Sequence, residues 1–364
     1  MRNTFLLLVM IAGFHSGIFC QAPIRSEQVQ LDSLTRAVNS GRYDGINSIL
    51  ISHRGKTAYE RYFGGWTRDS LHDSRSAFKS ITGLLMGIAI DRGYIKSVHQ
   101  KVYSFFPEYR SFTGKDSLKR NMTIKDLLNM TAGFDCEEFN DGKDCESDMF
   151  LAKDWVKFSL AIPLKNTPGT VWAYNSSAPV ILGDVISRAA GMSIMEFAKR
   201  FLFTPLGITK YRWTIDPAGH GMTAGSFYIL PADMLKIGEM VRQQGKWNKK
   251  QIVSAAWIKT SMQAPIAISD FSFMKYSRSA VAIPQPTYYG YYWYKERIAT
   301  STYQRDVWFA SGNGGQYLFI IPDIEMVVVF MQSNYNSWKA KKAFDLLARY
   351  ILPAFIPVRS TEKK

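Results

Sequence analysis

Ser76-Ala77-Phe78-Lys79-Ser80-Ile81-Thr82-Gly83-Leu84-Leu85-Met86-Gly87-Ile88-Ala89-Ile90-Asp91 is the stretch that decides the reading of this chain. Its apolar residues fall at helical spacing, and Gly93 supplies the stop expected just past a helix end. On a helix, residues three apart share a face one turn removed, so Lys79 reaches the Ser76 hydroxyl. A serine at a helix start also feels the positive end of the dipole, which favours an alkoxide or a developing oxyanion. A serine hydroxyl is a poor nucleophile until a neighbouring base takes its proton. A lysine can be that base only when neutral.

Alone, the Ser-x-x-Lys spacing is weak. The chain holds a second instance, Ser272-Phe273-Met274-Lys275, which is read as coincidence. Two further segments raise its weight. Pro168-Gly169-Thr170-Val171-Trp172-Ala173-Tyr174-Asn175-Ser176 ends in a Tyr-x-Ser triplet before a helical stretch at 177–190. A buried tyrosine can hydrogen-bond a lysine or relay a proton, although most buried tyrosines are simply core. Ser311-Gly312-Asn313-Gly314-Gly315-Gln316 precedes a β-rich run. Glycines there let a substrate approach the backbone closely and expose N–H groups, or merely make a turn.

Taken together and in this order, the segments resemble the serine β-lactamase and penicillin-binding-protein superfamily. The nearest likeness is to its class C-like branch of esterases, amidases and peptidases. Ile124-Lys125-Asp126-Leu127-Leu128-Asn129-Met130-Thr131-Ala132-Gly133-Phe134 and the turn Pro205-Leu206-Gly207-Ile208 are similar to further stretches of that family. The resemblance implies that Ser76 attacks a carbonyl carbon and forms an acyl-enzyme. Lys79 and Tyr174 would serve as general base and acid. The oxyanion would lie between the backbone N–H groups of Ser76 and Gln316. Ser176, Asn313, Gly314 and Gly315 would complete the substrate site. Two departures from the family pattern matter. Ser176 stands where Asn is commoner, and Asn313 stands where a Lys or His normally pairs with the carboxylate of a penicillin or a D-Ala-D-Ala peptide. An esterase or amidase is therefore expected rather than a true β-lactamase. Tyr289, Tyr291, Tyr292, Trp293 and Tyr294 either line an acyl pocket or belong to the core.

Strand-like runs stand at both ends, at 48–52 with 57–63 and at 307–311, 317–321 and 326–331. Between them the chain reads mostly as helix and loop. Further helices are expected at 27–40, 231–245 and 337–350. The expected fold is α/β in the α+β sense: an antiparallel sheet built from N- and C-terminal segments, flanked by helices, with an inserted, mostly helical subdomain at about 80–215. Domain boundaries follow as a signal peptide at 1–22 and one hydrolase domain at 23–358.

Thr4–Phe14 is an apolar run too short to span a bilayer, with Arg2 before it and small or polar residues after it, as in a secretory signal. Export to the periplasm or the exterior is expected. A lipid anchor is not, because Phe19 precedes Cys20. Past that segment only Cys136 and Cys145 remain, flanking an acidic loop, and a bridge between them suits an oxidising compartment. The five histidines show no close metal spacing, so no metal or cofactor is expected.

The 364 residues are 46% hydrophobic and 21% charged, which excludes a disordered or fibrous chain. The net charge of +15 favours weak association with an anionic envelope surface. No nucleic-acid-binding motif accompanies that charge. The expected partner is a small ester, amide or peptide-like substrate. The alternative is a non-catalytic binding or sensor protein on the same fold.

Overall fold

The computed structural model describes residues 26–109, 112–139 and 143–356. The signal segment expected at 1–22 lies outside them. The core of the fold is a nine-stranded antiparallel sheet. Its order is Lys56–Tyr62, Ile46–His53, Met326–Gln332, Gln316–Ile321, Gln304–Gly312, Trp293–Thr300, Thr287–Gly290 and Ile266–Ala267. Ala282–Ile283 pairs with the end of Trp293–Thr300. The N-terminal strand lies beside the C-terminal one in register Ile49↔Phe330 and Ile51↔Val328, so the chain's two ends close the sheet.

Ile46–Ser52 and Met326–Gln332 are buried residue after residue, without the alternation of a half-exposed strand. Both faces of the sheet must therefore be covered. Alternate side chains point to opposite faces. Leu318 and Val327 meet helix Pro231–Arg242, where a Cβ on Gly238 would lie 2.5 Å from Val327 and 2.6 Å from Leu318. On the other face the rings of Tyr317 and Phe319 pack 5.3 and 5.0 Å from Phe344, in the C-terminal helix Lys342–Leu346. The N-terminal helix Ser26–Asn39 packs against the C-terminal turns that follow.

The expected helix at 337–350 is a succession of shorter turns: 3-10 Trp338–Lys341, α Lys342–Leu346, π Leu347–Ile351 and α Leu352–Phe355. Pro353 explains the widening, since a proline lacks an N–H and its ring crowds the carbonyl four residues back. Lys199–Phe203 widens in the same way just before Pro205.

Among the described residues, every named element from Val102 to Leu206 is helical. Helix Phe78–Asp91 runs through the interior with each residue from Phe78 to Ala89 buried. With apolar residues on every side, such a helix sits inside, and its buried Lys79, Ser80 and Thr82 must find partners there. Its glycines set how closely its neighbours approach. The Trp257 indole donates to the Gly83 carbonyl at 3.1 Å and lies across Gly87, where a Cβ would meet Trp257 Cδ1 at 2.3 Å. Gly87→Ala would gain about 1 kcal/mol of helix propensity, and overpacking would cost about 1–3 kcal/mol. A net fall in the urea midpoint is expected, and restoration by a second change, Trp257→Phe, would place the cause at this contact.

Candidate active site

Ser76 sits in a single 3-10 turn, Arg75–Ala77, that feeds directly into helix Phe78–Asp91. Several contacts hold the turn in place. The Ser74 N–H donates to the Phe227 carbonyl at 2.8 Å. Arg75 has a φ of +47°, a left-handed conformation that costs a non-glycine residue about 1–3 kcal/mol. The Asp73 carboxylate sustains it by accepting the Arg75 N–H at 2.9 Å and pairing with its guanidinium at 3.5 Å. Two glycines clamp the turn. A Cβ on Gly225 would come within 3.1 Å of the Arg75 carbonyl carbon, and one on Gly312 within 2.5 Å of the Ser74 oxygen. The Ser76 turn is thus pressed against the end of strand Gln304–Gly312.

Lys79 follows one turn later, 2% exposed. Its Nζ contacts Ser76 Oγ at 2.9 Å, Ser176 Oγ at 3.2 Å and the Ala224 carbonyl at 3.0 Å. It also lies 4.8 Å from the centre of the Tyr174 ring, over the ring's face. Among the described residues the Tyr174 hydroxyl makes no hydrogen bond to Ser76 or Lys79; the ring face is what Lys79 meets. Burial pushes the phenol of the adjacent Tyr294 well above its usual range, and Tyr174 adds to the shift.

Sequence reasoning missed Glu138 and Glu146. The Ser176 N–H donates to Glu138 Oε1 at 2.9 Å, while Ser176 Oγ lies 2.8 Å from Glu138 Oε2 and 3.1 Å from Glu146 Oε1. The Glu138 N–H in turn donates to the Tyr174 carbonyl at 2.8 Å. A disulfide joins Cys136 to Cys145, a pairing the sequence left open, and closes the loop that carries Glu138. Burial raises the Glu138 carboxyl from 4.5 to about 7 despite the opposing charge of Lys79, and Glu146 adds to the rise. The only sequence signal was an acidic loop between two cysteines, which does not tell which carboxylate turns inward.

Ser76 opens on a cleft of about 580 Å³, lined also by Glu138, Glu146, Tyr174 and Asn313. Phe271, Phe273, Tyr294 and Trp338 stand among its lining residues, beside the polar ones. Lys341 lines it as well, its ammonium pushed down by burial. Of the residues expected here, Ser76, Tyr174, Asn313 and Gly314 border the cleft, and Ser176 is buried behind Lys79. Gly315 and Gln316 turn inward instead. A Cβ on Gly315 would strike the Gln332 side chain at 2.4 Å, and the Gln316 amide donates to the Gln332 carbonyl at 2.6 Å. The backbone at the cleft is Ser311–Gly314, so the glycine that meets the nucleophile turn is Gly312. The Asn313 side chain is occupied, donating to Asn336 Oδ1 at 2.7 Å and accepting the Asn336 N–H at 2.9 Å.

Tyr289, Tyr292 and Trp293 belong to the core, each 1% exposed, whereas Tyr294 reaches the cleft. The second Ser-x-x-Lys is structural: Ser272 caps helix Phe273–Ser277 and donates to Glu296 at 2.7 Å. Away from the cleft, Asp154, Asp216 and His220 bring possible ligand atoms within 4.8 Å of one another, a proximity their spacing did not reveal. There Asp216 already accepts the Trp155 N–H at 2.8 Å and meets the His220 ring at 3.0 Å.

This arrangement can deprotonate a serine hydroxyl beside an open cleft. A Gly312→Ala side chain must displace the turn, so the rate at which a fluorophosphonate labels Ser76 should fall by about two orders of magnitude. The urea midpoint should change far less than that rate. Glu138 also leaves a signature in stability. Because its folded pKa is raised, the stabilisation it confers is complete below the unfolded value of 4.5 and is lost as pH rises through about 7. The loss is at most on the order of 3 kcal/mol. Glu138→Gln removes this dependence, so its urea midpoint should gain on that of the wild type as pH rises through that window.

Comparison with known proteins places this geometry in context. A profile of the Beta-lactamase family matches residues 34–350. The 6-aminohexanoate-dimer hydrolase of Paenarthrobacter ureafaciens is 23% identical over 305 residues, covering 79% of this chain and 72% of that protein. A putative 6-aminohexanoate-dimer hydrolase from Bacillus anthracis shares the fold with a TM-score of 0.68 at 17% identity, over 88% of this chain and 81% of its own. A family VIII carboxylesterase does so with a TM-score of 0.66 at 15% identity, over 91% and 98%. These relatives and neighbours support hydrolase activity of the esterase or amidase kind. With the profile spanning nearly all of the described residues, the chain belongs to the Beta-lactamase family.

Proposed function

We propose that the protein is a secreted serine hydrolase that cleaves an ester or amide through an acyl-enzyme on Ser76. The observation that carries this reading is the 2.9 Å contact between Ser76 Oγ and Lys79 Nζ at the edge of an open cleft. In the first step Lys79 takes the Ser76 proton as Oγ adds to the substrate carbonyl. The oxyanion is held by the Ser76 N–H, at the start of its helix, and by backbone at the strand end Gly312–Asn313. Tyr174, which borders the same cleft, donates its phenol proton to the leaving group once substrate draws its hydroxyl into line, and recovers a proton from the Lys79 ammonium. Water then cleaves the acyl-enzyme by the reverse sequence of transfers. The disulfide and the signal-like N-terminus support export.

The aromatic residues along the cleft support a substrate with an apolar portion beside its polar groups. The Asn313 amide, uncharged and bound to Asn336, supplies no cation at the position where the family pattern has one. A neutral ester or amide therefore fits better than a penicillin. Intact mass after exposure to an activated ester should show one acyl adduct on the wild type and none on Ser76→Ala, with penicillin acylating at least about ten-fold more slowly. A folded wild type that takes no adduct from either reagent, nor from a fluorophosphonate, would point to the binding-protein alternative.

A further inference from the structure

The mechanism above leaves two acidic side chains unused, and both lie at hydrogen-bond distance from one hydroxyl. Ser176 Oγ carries one proton and two lone pairs. Around it stand Lys79 Nζ at 3.2 Å, Glu138 Oε2 at 2.8 Å and Glu146 Oε1 at 3.1 Å. Lys79 can fill one lone pair. The single hydroxyl proton is divided between the two carboxylates in a three-centre bond unless one carboxyl carries a proton and donates to the second lone pair. Two full hydrogen bonds at these contacts therefore need one proton held on the pair, and the site is built to accept it. The groups are held firmly: Ser176 is 1% exposed, its N–H fixes the other oxygen of Glu138, and the disulfide closes the loop behind Glu138.

We propose that the Glu138–Glu146 pair is a proton acceptor for Lys79, reached through the Ser176 hydroxyl, and that it positions Lys79 as the base for Ser76. In the transfer the Lys79 N–H bond breaks as its proton joins Ser176 Oγ. The hydroxyl's own proton passes to a carboxylate oxygen. An ammonium and a carboxylate become an amine and a carboxylic acid, and Ser176 ends as it began. A rotation about the Cε–Nζ bond then turns the amine lone pair to the Ser76 hydroxyl, while the Ala224 carbonyl keeps its donor. Buried Glu138, raised to about 7, takes such a proton near neutral pH. The groups facing it are Lys79 from the nucleophile helix, Glu146 from the start of helix Glu146–Leu151, and Tyr174 with Ser176 from the turn before helix Ser177–Ala190. Lys341 stands among the residues lining the same cleft.

Serine stands where Asn is commoner in the family pattern, and here it has a purpose. A carboxamide in its place donates through nitrogen and accepts through oxygen at separate atoms. It cannot pass a proton through one atom as a hydroxyl does.

The inference rests on the serine-hydrolase reading, so the test has two independent arms. The first measures the pH dependence of fluorophosphonate labelling of Ser76 by intact mass. Wild type should show an inflection near 7. Glu138→Gln should lose the inflection and label about 10²-fold more slowly, while Glu138→Asp should recover it in part. A Glu138→Gln variant with the wild-type rate and profile would overturn the proposal. The second arm needs no reactivity. Infrared difference spectra of the full-length protein should show a carboxylic-acid stretch that titrates near 7 and vanishes in Glu138→Gln. If wild type takes no label but shows this band, the hydrolase reading fails and the shared proton stands. If the band is missing, the proposal fails whatever the labelling shows.

Discussion

Burying the Lys79 amine is the constraint on which the rest of the structure depends. An ammonium removed from water without partners is among the costliest groups a core can hold. Here three segments satisfy it: Ser76 in the turn that leads into its helix, Ser176 at a separation of 97 residues and the Ala224 carbonyl at 145. The Tyr174 ring covers it as well. Each contact fixes a distant part of the chain relative to the nucleophile, so assembling the site and satisfying the buried charge are one event.

The sheet supplies the rigidity this needs. Its central strands, Ile46–His53, Gln316–Ile321 and Met326–Gln332, are buried on both faces, with Pro231–Arg242 on one side and Lys342–Leu346 on the other. The end of Gln304–Gly312 is therefore a fixed wall. Gly312 brings the nucleophile turn against that wall, and Gly225 closes it from another direction. The left-handed Arg75 is the conformational cost of turning so sharply from a strand into a helix. Asp73 offsets that cost locally, which keeps the strain beside the nucleophile rather than spreading it into the core.

The fold was legible where the pattern was periodic. The hairpin at the N-terminus, the buried helix after Ser76 and the two C-terminal strands flanking Pro322–Ile324 all appear within a few residues of where periodicity places them, because apolar spacing reports burial directly. Ser76, Lys79 and Tyr174 were legible as a set, since their order along the chain matches a known pattern. The Gly-rich segment was read with its substrate-facing part too late. Its residues alone do not reveal which glycine ends the strand and which lie in the turn; the pairing of Gly312 with Gln316 decides that. Glu138 was invisible for another reason. Its chemistry comes from enclosure by Ser176, Tyr174 and the disulfide loop, and enclosure by residues distant in sequence leaves no periodic mark.

The raised carboxyl also links stability to reactivity. A glutamate paired with a lysine ordinarily has its pKa lowered and strengthens the fold at neutral pH. Glu138 does the reverse: desolvation outweighs the attraction of Lys79, and Glu146 opposes ionisation further. The fold therefore holds a carboxyl that is costly to ionise near neutral pH in the same buried network as the Lys79 amine. An ordinary exposed ion pair would leave the proton on the lysine. In the proposed transfer, burial of Glu138 narrows the free-energy gap between ammonium–carboxylate and amine–acid by disfavouring the charged carboxylate.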